Sequence, residues 1–270
     1  MTFPKTVLMI GCGNMGGAML AGWLRGGSEG GVSPDCFTVV DPRLEAAPEG
    51  VRLLRSLPEG EVFDLMLLGV KPQMLNDVAP QLTALAGGQT VVLSILAGAE
   101  LASLSARFPG ARGIVRVMPN LAAALGESPM GVAAQGLSEE ETAGITAFLT
   151  HLGTPEWVGE DLFHAVTALA GSGPAFVYRI IDALATGGVA LGLDPEQALR
   201  LARSMVQGAA DLAMASPYDP GELARRVASP GGTTQAGLDV LDQDGAALAL
   251  MQATLNAAEK RSREMAQEAR

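Results

Sequence analysis

Val7-Leu8-Met9-Ile10-Gly11-Cys12-Gly13-Asn14-Met15-Gly16 decides how the first part of this chain is read. The apolar run over 5–10 predicts a short buried strand. It passes directly into G-x-G-x-x-G, and residues 17–24 then set Met19, Leu20, Trp23 and Leu24 at helical spacing. Strand, glycine turn and helix, in that order, are the context a dinucleotide-binding turn requires. Gly11 makes the turn, Gly13 lets the backbone approach a pyrophosphate, and Gly16 lets helix and strand pack closely. Alone, the motif is weak evidence. At the head of a strand–helix unit it predicts that Gly11, Gly13, Asn14, Met15 and Gly16 hold a nucleotide cofactor.

Working outward, a second strand over 36–40 ends in Asp41-Pro42-Arg43. A carboxylate at that strand end accepts hydrogen bonds from the ribose hydroxyls of NAD, and an arginine nearby suits the 2′-phosphate of NADP. Both are present. Asp41 holds the strand-end position, so the residues lean weakly to NAD and leave NADP open; Arg43 reads equally well as a solvated loop charge. Further strands over 51–54, 64–70, 89–95 and 111–118, with helices over 74–85 and 101–108, predict an α/β fold with a Rossmann-type, doubly wound parallel sheet. In such sheets ligands lie beyond the carboxyl ends of the strands. Lys71, Ala97 and Asn120 each follow such an end. Two last strands, 130–134 and 155–158, flank a helix over 138–151, which Ser138 and Glu141 open as a capping box.

After Gly159 strand-like runs cease. The reading is a nucleotide-binding domain over 1–160 and an all-helical domain over 161–270. A long helix over 163–191, apolar nearly all round and interrupted by Gly171-Ser172-Gly173-Pro174, predicts burial against a second subunit. Asp194-Pro195-Glu196 caps a helix over 196–214, and helical stretches over 220–227 and 238–269 follow. Between those two lies Ser229-Pro230-Gly231-Gly232-Thr233-Thr234. A glycine turn that opens a helix aims several N–H groups at one point, where the helix dipole adds positive charge. It suits a carboxylate. On its own such a stretch is more often a plain tight turn with a threonine cap; the glycine turn at 11–16 lifts it above that.

Composition narrows the function. The chain has 270 residues, 48% hydrophobic and 17% charged, as a well-packed globular protein has. A net charge of −11 argues against nucleic acid as a partner. The apolar run 7–10 is too short for a signal peptide, and the longest apolar region, 165–193, carries Arg179 and Asp182, so no membrane span is expected. Cys12 and Cys36 make neither a disulfide framework nor a metal pattern, and the expected compartment is the cytoplasm. His151 falls at a helix end and His164 beside Phe163, neither in a local catalytic motif. So few candidate catalytic acids point to a substrate that needs no strong one, such as a protonated cyclic imine.

Four spaced segments carry a specific resemblance: Val70-Lys71-Pro72-Gln73, Arg116-Val117-Met118-Pro119-Asn120, 165–175 with its Gly171-Ser172-Gly173-Pro174, and 220–242 around Ser229-Pro230-Gly231-Gly232. Through them the chain resembles the pyrroline-5-carboxylate reductases. The resemblance implies reduction of 1-pyrroline-5-carboxylate to L-proline by NAD(P)H, the last step of proline synthesis. It also implies a homodimer or larger homo-oligomer whose helical domains interleave and share active sites. Carried over by position, the cofactor meets the 11–16 turn, Asp41, Arg43, Val70, Lys71, Pro72, Ala97 and Asn120. The substrate carboxylate meets Gly231, Gly232, Thr233, Thr234 and Ser229; Thr234 also faces the ring nitrogen as the catalytic hydroxyl, and Glu160 touches substrate. Phe176, where many relatives have tyrosine, and Arg52 and Arg226, where some have uncharged residues, depart from the pattern. A related imine or 2-hydroxy-acid reductase, and a nucleotide sensor without turnover, are the competing readings. The only lysine after Lys71 is Lys260, among Arg261 and Arg263, where a solvated face is the simpler account.

Overall fold

A computed structural model of the chain describes residues 3–268. Eight strands form one sheet in the order β3-β2-β1-β4-β5-β6-β7-β8. They are β1 Val7–Ile10, β2 Phe37–Val40, β3 Arg52–Leu54, β4 Leu65–Leu68, β5 Val91–Ser94, β6 Gly113–Met118, β7 Ser128–Gln135 and β8 Gly153–Trp157. The central strands are apolar on consecutive residues because both faces are covered. Alternate side chains then divide between two cores: Leu8 and Ile10 pack with Met66, Leu68 and Val92, while Val7 and Met9 pack with Leu65, Leu67 and Val91. Helices α1 (Asn14–Leu24) and α5 (Glu139–Thr150) cover the second face, where Trp23 stacks on Phe37 and Phe148 at 5.6 and 4.4 Å and its Nε1–H donates to the Phe148 carbonyl. Between them in sequence lie a single turn, α2 (Gly27–Gly30), and α3 (Leu75–Leu82) and α4 (Leu101–Arg107), which cover the first face. Ser138 and Glu141 make both bonds of the capping box.

The sheet departs from an all-parallel one at a single step. β7 pairs antiparallel with β6, and β8 runs parallel to β7. Only a 3-10 turn, Leu121–Leu125, joins β6 to β7. A parallel return needs a crossover of about a dozen residues or more, so the chain reverses instead.

The helical part also differs in detail from the sequence reading. The stretch over 163–191 is α6 (Phe163–Val166), a π-turn over Thr167–Gly171 and α7 (Gly173–Ala190). Within the chain α7 buries Ala185 alone. Next come α8 (Pro195–Ala215), whose Asp194 side chain accepts from the Glu196 and Gln197 N–H groups, and α9 (Pro220–Val227). The stretch expected as one helix over 238–269 is two: α10 (Thr233–Leu241) and α11 (Ala246–Glu268). Asp244 between them has φ 53°, a left-handed conformation that stops a helix; residue 269 lies outside the described residues. Contacts divide the chain into two compact units, residues 1–172 with 258–270, and 173–257. This division by contacts falls inside the Gly171–Pro174 break. Among the described residues no helix is long and apolar enough to cross a membrane.

Candidate active site

Strand order reverses at β1, which lies between β2 and β4. There the carboxyl ends diverge and leave a crevice for a ligand. Gly11 turns away from β1 with φ +87°, and a Cβ on it would stand 2.9 Å from the Gly69 carbonyl oxygen at the end of β4. Only glycine fits that approach. Around Gly13 the reverse holds: a Cβ there would meet nothing within 4 Å. The space is open, and Gly13 is the N-cap of α1 with no side chain bonded across it. The N–H groups of Asn14 and Met15, in the uncapped first turn, are left without a partner among the described residues. The arrangement fits the pyrophosphate of a dinucleotide.

Asp41 closes this edge from the β2 side. Its Oδ2 accepts from the Cys12 N–H at 2.9 Å and its Oδ1 from the Arg43 N–H at 2.8 Å. Burial raises its pKa, but the N–H groups of Cys12, Arg43 and Leu44 and the Arg43 charge outweigh it, and the carboxyl sits below the usual carboxylate range. At 8% exposure Asp41 clamps the glycine turn to the loop after β2. Sequence reasoning missed Arg55, which donates to the main-chain carbonyls of Asp41, Leu44 and Glu45 and shapes the same loop. The departures Arg52 and Arg226 have local partners: Glu61 at 2.6 and 2.8 Å for the first, Glu222 and the Tyr218 ring, 3.6 Å away, for the second.

Beyond β4, Val70 is half-buried and Lys71 exposed. Pro72 and Ala97 share a cleft of about 330 Å³. Asn120 is turned inward and buried: its Oδ1 accepts from the Ala122 N–H and its Nδ2 donates to the Ala170 carbonyl. Glu160 is held too. Its Oε1 accepts from Arg116 Nη1 and from the Leu101 N–H, and its buried Oε2 has no hydrogen-bond partner among the described residues. Arg116 is 2% exposed and lies 4.1 Å from the Phe163 ring centroid. Burial lowers its pKa and Glu160 raises it, with a net lowering. A charged residue inside an otherwise apolar strand was the available signal for this pair.

The second candidate lies in the other compact unit and is described by itself. Gly231 has φ +72°, and the Gly232 N–H donates to the Ser229 carbonyl at 2.9 Å. Gly232, not a threonine, caps α10, and no side chain bonds across the cap. Ser229, Thr233 and Thr234 are exposed. The first N–H groups of α10 and three hydroxyl groups thus bracket one turn.

Comparison with known proteins covers both parts. The pyrroline-5-carboxylate reductase of Methanosarcina acetivorans is 35% identical over 260 residues, 95% of this chain and 96% of that protein. The chain belongs to the pyrroline-5-carboxylate reductase family. The reductase of Pseudomonas aeruginosa is 34% identical over 276 residues, 99% of each chain. The family model for pyrroline-5-carboxylate reductase dimerisation matches residues 160–265, which makes the helical part a region of homo-oligomerisation. Among solved structures, that of the Coxiella burnetii pyrroline-5-carboxylate reductase has a TM-score of 0.89 at 28% identity, covering 97% of this chain and 98% of that one. A Plasmodium falciparum pyrroline carboxylate reductase, solved with NADP bound, shares the fold at a TM-score of 0.82 and 21% identity, over 98% of this chain and 100% of that one.

Proposed function

We propose that this chain reduces 1-pyrroline-5-carboxylate to L-proline with NAD(P)H, the last step of proline biosynthesis. The observation that carries the reading is the uncapped Gly231–Thr234 turn, an anion cradle in a chain that also carries an open Gly13 turn. NAD(P)H, when bound, supplies the hydride that reduces the imine. The residues of the chain bind and orient. Gly13, Asn14 and Met15 hold the pyrophosphate, with Gly11 and Gly16 setting the turn, and Val70, Lys71, Pro72, Ala97 and Asn120 border the rest of the cofactor. The N–H groups of Thr233 and Thr234 and the hydroxyls of Thr234 and Ser229 hold the substrate carboxylate. The Thr234 hydroxyl exchanges a proton with the ring nitrogen or with water. A protonated imine is already electrophilic, so binding and alignment supply much of the rate. Glu160 enters through its second oxygen, the acceptor left to it. The active site is shared between copies of the chain.

Cofactor choice follows from Asp41. Each of its oxygens already accepts from a main-chain N–H, while the Arg43 side chain makes no hydrogen bond or ion pair among the described residues. That supports NADPH over NADH as the reductant. Incubating the protein with pyrroline-5-carboxylate and each reductant, following absorbance loss and proline formation, tests both statements. Absence of proline with either reductant removes the reading; faster turnover with NADH removes the preference.

A further inference from the structure

The loop after β5, Leu96-Ala97-Gly98-Ala99, is gripped from two sides. Gly98 is buried with φ +82°, and a Cβ on it would stand 2.9 Å from the Met265 carbonyl oxygen and 3.3 Å from the Ala266 nitrogen. The main chain of α11 therefore crosses the loop at backbone contact. The buried residues of α11 are Ser262 and Ala266, four apart and so on one face. Ser262 Oγ lies 2.9 Å from Nδ1 of His164, itself buried on α6. At the far end of the loop Leu101 opens α4, and its N–H donates to Glu160 Oε1 at 3.2 Å. On either side of Gly98, Ala97 and Ala99 line the 330 Å³ cleft together with Pro72, Arg261 and Met265. The last turns of α11 thus touch the loop from above at Gly98 and wall the cleft beside Ala97. Residues 258–268 count with the sheet unit although the helix that carries them starts in the other.

We propose that the end of α11 is a cofactor-positioning element. Seated on Gly98 and tied through Ser262 to His164, it holds the Ala97 loop where a nicotinamide dinucleotide needs it. Gly98 and Ser262 are then positioning residues that act through Ala97. The inference rests on the functional reading above in taking the cofactor as a nicotinamide dinucleotide and Ala97 as a residue that borders it.

The test is substrate-free titration calorimetry of the full chain with NADP+ and NAD+, beside melting temperature. Gly98→Ala forces a side chain into left-handed backbone and onto the Met265 carbonyl, so the loop or helix must move. Its dissociation constant for the better dinucleotide is expected to rise about tenfold or more. Ser262→Ala removes only the tie and is expected to raise it about threefold, with the KM for dinucleotide rising and kcat and the KM for pyrroline-5-carboxylate little changed. Wild-type affinity in Gly98→Ala overturns the proposal. So does a Ser262→Ala protein that melts earlier but binds dinucleotide as before, and this variant decides alone if Gly98→Ala does not fold. Weakened binding in both variants of a protein that makes no proline upholds the positioning role and sinks the reductase reading. A wild-type chain that binds neither dinucleotide sinks the cofactor assignment and the positioning role with it.

Discussion

The sheet unit and residues 173–257 solve the problem of apolar surface in opposite ways. The first buries Trp23, Phe37, Phe108 and Phe163 and whole strands such as Val7–Ile10 within its own two layers. The second buries three alanines as its only hydrophobic residues, Ala185, Ala198 and Ala202, and exposes Tyr178, Ile180, Leu184, Val189 and Leu212. A sheet sandwiched by helices completes its core from one chain. A helical segment apolar on so many faces does not, and its match to a dimerisation family says where the missing partner comes from: another copy.

The comparison is broken most severely at the helical faces. Ile180→Glu puts a charge on α7 at a residue 44% exposed in the single chain. Within an oligomer it would bury that charge without a partner, at a cost of several kcal/mol, so sedimentation is expected to show loss of assembly. An intact oligomer would mean that this face is not the interface. Trp23→Ala attacks the other solution. Its stacking and indole hydrogen bond are internal, and the loss is expected to be about 3–5 kcal/mol of folding stability, read by denaturant unfolding, with the oligomer retained. Thr234→Ala separates site from scaffold: the residue is exposed, so melting should hold while kcat/KM for pyrroline-5-carboxylate falls roughly ten- to a hundredfold. Unchanged kinetics would remove Thr234 from the site.

The smallest effect is a pH dependence confined to the sheet unit. Burial lowers the His164 pKa, as do Arg263 and Arg116, against smaller opposing contributions from Glu100 and Glu259. The folded state thus binds its proton less readily than the unfolded chain. His164 contributes stability that is complete above its usual value of 6.5 and is lost as pH falls from there towards the lowered folded value. Unfolding between pH 7 and 5 is expected to show this loss, and His164→Gln to flatten it; a variant with the same slope would assign the loss elsewhere.

Much of this was legible locally. The strand–glycine–helix order at 5–24, the capping box of Ser138 and the Asp194 cap are encoded within a few residues of where they act. The reversal at β7 was encoded too, in the shortness of the segment after Met118, but strand signals alone carry no direction. At the site, the sequence brought forward Gly13 and Gly231–Thr234 because glycines at a helix start have a local reason. It named Asp41 without its bonds to Cys12 and Arg43. It named Asn120 and Glu160 without the partners, Ala170 and Arg116, that hold them, fifty and forty-four residues away.

By itself, then, the sequence determined the alternation of elements, the two glycine turns and the family, all of which rest on neighbouring residues and on spacing. Tertiary structure alone decided which polar groups are held by protein partners far away in the chain. Asp41 clamps a turn, Asn120 ties two loops, Glu160 pairs with a buried arginine, and the chain's last helix lies on Gly98. The reason is physical. A hydrogen bond or a backbone contact depends on distance in space, and these partners meet only after the sheet has brought the carboxyl ends of its strands together.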